Sequence, residues 1–244
     1  MKPSYQKVGH HHILYDRSII ENPTPSLFDP QDWKRRGKTL GVAKGRGTTY
    51  FVVDHDRKYA LRHYRRGGMI ASLITDRYLW LGLSRSRAWQ EWSLLNQMYS
   101  EGLPVPQPVA ACVVREGCVY RADLMTLVLS DCCSLAEKLV SAPLTRVVWS
   151  TIGRCIRRFH LAGINHADLN ARNILLNKND KVFLIDFDKS ARRTKKGKWQ
   201  EVNLSRLRRS LNKLSKAGLF SPVPEENWKT LLEAYNHFKP ETRK

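Results

Sequence analysis

The sequence predicts an α+β chain in two lobes, a β-rich N-terminal lobe and a helical C-terminal lobe. Two observations carry this. Strand formers with period-two alternation dominate from Thr39 to Leu129, and helical spacing dominates after Pro143. The character changes once, near Thr126 to Ser134, whereas a βαβ protein would alternate throughout. The 244 residues suit one large domain or two lobes around a cleft, and the boundaries fall at 1–36, 37–128 and 129–244.

Residues 1–36 read as an irregular arm, because Pro23, Pro25 and Pro30 interrupt it, with Phe28 and Trp33 pinning it to the body. Thr48–Val53 and Lys58–Tyr64 predict a hairpin turning at Asp54-His55-Asp56. Ser86 to about Glu101 carries Trp89, Trp92, Leu95 and Met98 at helical spacing, and Gly102 stops it. Val109–Val114 and Val119–Leu129 predict a second strand pair across Glu116-Gly117. Further on, helices are expected at Ser134–Val140, from Pro143 to about Ala162, at about Leu204–Lys216 and at Glu225–His237. Short strands are expected at Ile174–Leu176 and Val182–Ile185.

The 42 Lys and Arg against 22 Asp and Glu give a formal charge of +20, which calls for an anionic partner: nucleic acid, an acidic membrane surface or an anionic small substrate. No apolar run approaches the roughly 18 residues that span a bilayer, and the first residues lack the apolar stretch of a secretory signal. The five cysteines form no C-x-x-C pair and read as reduced, mostly buried thiols of a cytosolic protein. His10-His11-His12 alone is no metal site.

The chemistry concentrates in His166-Ala-Asp168-Leu-Asn-Ala-Arg-Asn173, followed by an apolar strand pair that ends at Asp186-Phe187-Asp188. This matches the kinase catalytic loop H-x-D-L-x-x-x-N with its D-F-G-like partner. A phosphoryl acceptor needs a carboxylate to orient its hydroxyl, which Asp168 supplies. Mg²⁺ is a hard cation that takes oxygen ligands, which Asn173 and Asp186 supply. Upstream, Gly45-Arg46-Gly47-Thr48 precedes a strand, where glycines let backbone N–H groups approach phosphates. Tyr59-Ala-Leu-Arg62 stands in the place of the kinase V-A-I-K strand with Arg for Lys, and Glu91 is the natural partner of Arg62, with Lys44 and Lys58 as alternative cations. Lys189 to Lys198 and the basic face of the helix after it read both as a solvated surface and as a membrane or substrate dock.

With these segments the chain resembles the lipopolysaccharide kinase family, within the protein-kinase-like fold. The resemblance runs from about residue 39 to 215 and rests also on Leu61-Arg-His-Tyr-Arg-Arg-Gly-Gly68, Arg87-Ala-Trp-Gln-Glu91, Gly102-Leu-Pro-Val-Pro106 and Asn203-Leu-Ser-Arg-Leu-Arg-Arg-Ser210. It implies that ATP and Mg²⁺ are used to phosphorylate an inner-core sugar at the cytoplasmic face of the Gram-negative inner membrane, with the protein peripheral there. The acceptor it implies is the 4-hydroxyl of Kdo on a lipid A precursor. A core heptose or, in an atypical protein kinase, a polypeptide are the alternatives. By the same resemblance Asp168 is the catalytic base, Asn173 and Asp186 hold the metal, Gly45 to Thr48 cover the phosphates, and Arg62 pairs with Glu91. It implies no nucleic acid and no obligate protein partner. No A-P-E follows Asp186 and 58 residues remain, which favours a small or lipid-linked acceptor. Asp188, in place of the D-F-G glycine, predicts a less switchable segment.

Overall fold

The structure is a computed structural model that describes residues 1–44, 48–65, 76–194 and 197–239. The chain divides into two compact units, residues 1–100 with 106–128, and residues 101–105 with 129–244.

Unit 1 is built on an antiparallel sheet. Its strands are β1 (Pro3–Val8), β2 (His11–Asp16), β3 (Thr39–Lys44), β4 (Thr48–Asp54), β5 (Arg57–His63), β6 (Tyr78–Leu79), β7 (Pro108–Glu116) and β8 (Val119–Leu127). They run in the order β1-β2-β7-β8-β5-β4-β3, and β6 pairs with β8. A short helix α1 (Pro30–Arg35) precedes β3, and α2 (Arg87–Ser100) packs on β7 and β8. One sheet face closes over Ile13, Tyr15, Phe28, Trp33, Val52, Leu61, Val109 and Met125. Burying side chains of this size contributes about 1.5–3 kcal/mol each.

The N-terminal segment is not the irregular arm that its prolines suggest. β2 pairs with β7 from His11↔Val114 to Tyr15↔Ala110, and Ile13 is fully buried. Pro3 opens an edge strand, where a missing N–H costs no ladder bond. Pro30 stands at the first turn of α1, where the N–H has no helical partner, and the Asp29 carboxylate caps the Gln31 N–H at 2.9 Å. Here the prolines start elements. Of the histidine triplet, His11 and His12 lie in β2, and the His12 ring meets the Tyr5 hydroxyl at 2.8 Å.

Unit 2 holds β9 (Cys132–Ser134), α3 (Leu135–Ser141), α4 (Arg146–Leu161), β10 (Ile164–Asn165), β11 (Ile174–Asn177), β12 (Val182–Leu184), β13 (Ala191–Arg192), α5 (Trp199–Lys216) and α6 (Glu225–His237). Ser134 and Glu137 form a reciprocal cap that starts α3. Val148, Trp149, Ile152, Ile156 and Phe159 bury one face of α4. α6 crosses α4 so closely that a Cβ on Gly153 would lie 2.2 Å from the Leu231 carbonyl oxygen. α5 begins at Trp199, five residues before the predicted start, because polar residues mask its first turn. Of the five free thiols, Cys112 and Cys155 are buried, Cys132 and Cys133 half-buried and Cys118 exposed, so burial is less general than expected. Burial pushes the Cys155 thiol up to about 12. Among the described residues, no helix is long and apolar enough to cross a membrane.

Candidate active site

The loop His166–Asn173 joins β10 to β11 and is held by its own amides. The Asp168 N–H donates to His166 Nδ1 at 3.2 Å. The Asp168 carbonyl accepts from Asn173 Nδ2 at 2.9 Å and from Asn170 Nδ2 at 3.1 Å. Asn170 Oδ1 accepts in turn from the backbone N–H groups of Arg172 and Asn173. Both backbone polar groups of Asp168 are thereby fixed, and its residue is half-buried.

His166 connects this loop to the Asp186 segment. Since Nδ1 accepts from Asp168, the ring carries its proton on Nε2, which donates to the Ile185 carbonyl at 3.0 Å. Burial depresses the His166 pKa; the charges of Asp186 and Asp168 act on the ring in the opposite sense but do not prevail. The ring is neutral at pH 7, as the two hydrogen bonds require. It lies against Phe187, tilted by 45° with centroids 4.6 Å apart, and Phe187 stacks on Phe159 at 5.8 Å. Phe187 is fully buried. It anchors the tripeptide, and Asp186 next to it adopts φ +62°, a left-handed conformation that is strained for a residue with Cβ. Such strain persists only where the surroundings over-determine it, and here the Ile185 N–H bond to the Asn173 carbonyl (3.0 Å) and the His166 clamp do so.

Asn173 Nδ2 is committed to Asp168, so its amide oxygen faces away from that carbonyl. That oxygen and the Asp186 carboxylate are hard donors of the kind that Mg²⁺ takes while it keeps several waters. The residues therefore fit such an ion.

The sequence reading missed the role of α5. Three of its side chains, spaced at i, i+3 and i+7, grip the loop backbone. Asn203 Oδ1 accepts the His166 N–H at 3.0 Å, Arg206 donates to the Ala167 carbonyl, and Ser210 Oγ accepts the Ala171 N–H at 3.2 Å. Ser190 Oγ takes the Ala167 N–H at 3.0 Å. The signal was there: these three polar residues form one helical stripe beside the Leu204–Leu214 face. The basic face of α5 is accordingly not all solvated, since Arg208 pairs with Glu225 and lies over the Trp228 ring at 5.0 Å. Behind the loop, Asn203 Nδ2 donates to Asn165 Oδ1 at 3.0 Å. His160 Nε2 meets Asn203 Oδ1 at 3.4 Å, and His160 Nδ1 meets the Tyr235 hydroxyl at 2.7 Å. Burial lowers the His160 pKa to about 4. Arg192, expected in a free basic stretch, pairs bidentately with Glu101 at 2.6 and 2.8 Å.

In unit 1, Arg62 on β5 pairs with Glu91 on α2, as its position predicts. The Tyr64 hydroxyl donates to the same Glu91 oxygen and accepts from Arg62 at 3.0 Å, and the Arg62 guanidinium lies 4.7 Å from the Tyr64 ring centroid. Glu91 is only 3% exposed, so the pair is desolvated and geometrically fixed. Thr48 opens β4 opposite His63, next to Arg62. Gly45, Arg46 and Gly47 lie outside the described residues.

A carboxylate on a backbone-locked loop, an Asp-Phe-Asp turn clamped to it, and a strand cation paired with a helix glutamate define a kinase of the protein-kinase-like class. The chain belongs to the lipopolysaccharide kinase (Kdo/WaaP) family, whose profile matches residues 30–235. It is 42% identical over 201 residues to a 3-deoxy-D-manno-octulosonic acid kinase of Vibrio parahaemolyticus, covering 82% of this chain and 84% of that protein. Proteins of the same name from Vibrio cholerae and Xanthomonas axonopodis are 37% identical over 230 residues and 43% over 214. The former match covers 92% of this chain and 94% of the relative, the latter 88% and 85%.

Proposed function

We propose that the chain transfers the γ-phosphoryl group of ATP to the 4-hydroxyl of Kdo (3-deoxy-D-manno-octulosonic acid) carried on a lipid A precursor. The observation that carries this reading is the immobilised Asp168 loop joined through His166 to the Ile185 carbonyl that precedes Asp186, in a chain whose relatives are named for Kdo. Asp168 orients the acceptor hydroxyl and takes its proton as the new O–P bond forms and the bond to the ADP oxygen breaks. Arg62, held by Glu91 and Tyr64, presents a permanent cation to the nucleotide phosphates, and Gly45 to Thr48 supply backbone N–H groups. Asn173 and Asp186 would hold Mg²⁺, which supplies charge neutralisation at the phosphates when bound. The lobes 37–128 and 129–244 then divide the work, the first supplying backbone N–H groups and a cation for the nucleotide and the second the acceptor base and the metal ligands. The acceptor is a carboxylated sugar on a phosphorylated lipid, which suits a chain of charge +20 that works at the cytoplasmic face of the inner membrane.

The test is label transfer from γ-labelled ATP with Mg²⁺ to Kdo-bearing lipid A precursor, with the same lipid lacking Kdo as control. Transfer to the Kdo lipid alone is expected. Asp168→Ala should lose more than a thousandfold in turnover and still bind ATP. Near-normal turnover of that variant would overturn the role given to Asp168, and transfer to a heptose-bearing acceptor alone would move the substrate.

A further inference from the structure

β6 is two residues long, yet it begins the most exposed apolar stretch of unit 1. Leu79 and Leu81 are 59% and 61% exposed, the highest values for large apolar side chains among the described residues of that unit. This is not a frayed loop. Tyr78 pairs with Tyr120 and Leu79 with Val119 in the sheet, and the Trp80 N–H donates to the Cys118 carbonyl at 2.8 Å. Tyr78 is buried and Trp80 half-buried, their rings 5.5 and 6.1 Å from Tyr120. The alternation of a fixed strand therefore turns Arg77, Leu79 and Leu81 outward.

An aromatic strip continues from Trp80. His12 lies 6.2 Å from Trp80, and Tyr5, 49% exposed, stacks on His12 at 6.2 Å and meets Trp89 edge-on at 5.8 Å. Cations surround it. Arg115 lies over the Trp80 ring at 5.1 Å, while exposed Arg77 and Arg85 flank the Leu79–Leu81 stretch. Lys7 and Arg115 both act on His12, whose pKa is lowered by burial first and by these two charges next. Of nearby carboxylates, Glu116 is shared by Arg77 and Arg121, and Asp76 faces His63. Outward leucines, amphipathic rings and excess positive charge are the chemistry that a headgroup layer accepts. A protein partner needs roughly 800 Å² of complementary surface per side, whereas two leucines and a ring tip need only a fluid interface.

We infer that this face of unit 1 docks on an anionic bilayer, with Leu79 and Leu81 seated among the headgroups and Arg77, Arg85 and Arg115 on lipid phosphates. The inference deepens the proposed function, since a lipid-borne acceptor requires the enzyme to work at such a surface. It places the dock in unit 1 and not in the Lys189–Lys198 stretch of unit 2.

The test is co-sedimentation of the full chain with phosphatidylcholine vesicles, with and without phosphatidylglycerol, at physiological salt and without acceptor or nucleotide. Binding should need the anionic lipid. The double variant Leu79→Ser with Leu81→Ser should lower partitioning at least tenfold. Arg77→Gln with Arg85→Gln should lower it severalfold and weaken its salt dependence, while Arg193→Gln with Lys198→Gln should leave it within twofold. The leucine variant should keep wild-type turnover on detergent-dispersed acceptor, which separates docking from chemistry. Unchanged partitioning of the leucine variant would overturn the inference. So would loss of binding in the unit-2 variant alone, or a wild-type dimer that the leucine variant converts to monomer, which would make the face a contact between copies. Absence of transfer by the wild type would count against the proposed reaction and leave the vesicle result standing.

Discussion

Asn203 sits at the meeting point of α5, the catalytic-type loop and His160, and Asn203→Ala is the most informative single change. The side chain is 1% exposed. Its removal strips the buried His166 N–H of its acceptor and the side-chain Oδ1 of Asn165 of its donor. A buried polar group left without a partner costs about 1–3 kcal/mol. The His166 N–H belongs at the upper end of that range, and half-buried Asn165, which water can reach, at the lower. The sum is about 3–4 kcal/mol, a large fraction of the 5–15 kcal/mol that holds a typical domain. At ~2–4 °C per kcal/mol for a chain of this size, the melting temperature should fall by roughly 6–16 °C. Hydrogen exchange should localise the effect, with faster exchange in peptides over 164–173 and none in β7 or β8. Turnover should fall more than the KM for ATP rises, because the loop carries Asp168. Asn203→Asp keeps the acceptor for His166 and sets a carboxylate beside His160, so it should be milder and should raise the His160 pKa. A loss below about 1 kcal/mol in Asn203→Ala, with loop exchange unchanged, would refute the argument that α5 holds the loop.

Three further outcomes follow from the geometry. Arg62→Met takes the guanidinium away from the buried Glu91 carboxylate and should cost about 3–5 kcal/mol, whereas Arg62→Lys keeps the charge and should cost less; denaturant midpoints and the KM for ATP measure both. His160 gains a proton below its ordinary 6.5 when unfolded but only below about 4 when folded. The unfolded chain therefore binds more protons between these values, and stability falls as pH falls through them. At 1.36 kcal/mol per unit the loss between pH 7 and pH 5 is about 2 kcal/mol. His166, also lowered, adds in the same sense. His63, raised by its hydrogen bond to Asp123, works oppositely, its contribution present below 6.5 and lost as pH rises through its folded value. Urea midpoints from pH 5 to 7 should show the slope, and His160→Gln should flatten it; an equal slope in the variant would exclude His160 as the source. Gly153→Ala forces a Cβ to within 2.2 Å of the Leu231 carbonyl oxygen, so α4 and α6 must separate. Thermal unfolding should then show a loss of more than about 2 kcal/mol, in the upper half of the 1–3 kcal/mol that overpacking typically costs.

Local patterns announced the elements whose residues obey one rule at a time. β4, β5 and α4 have clean periods, and Asp168, Asn173, Asp186, Arg62 and Glu91 stand at spacings that chemistry constrains. What stayed hidden depends on partners far along the chain. β2 reads as a histidine-rich arm because its hydrophobic residues make sense only beside β7, and a proline marks the start of α1 as readily as a break. Asn203, Arg206 and Ser210 look like ordinary polar positions of a basic helix until the loop they grip is in place. Arg192 and Arg208 likewise look solvated, and only Glu101 and Glu225 show otherwise.

The pairing of β2 with β7 sets a timetable for synthesis. The hairpin β1–β2 leaves the ribosome well before β7, the ladder partner of Ile13 and Tyr15, which follows about 100 residues later; at ~5–20 residues per second that is a wait of roughly 5–20 s. During that interval the nascent hairpin has both edges unpaired, the outer edge of β1 and the β2 edge that β7 will take, and loop closure over that distance must precede any gain from the pairing. Lys7 and Gln6 put polar side chains on the β1 edge, the kind of edge that disfavours pairing with another chain, while the β2 edge stays open until β7 arrives.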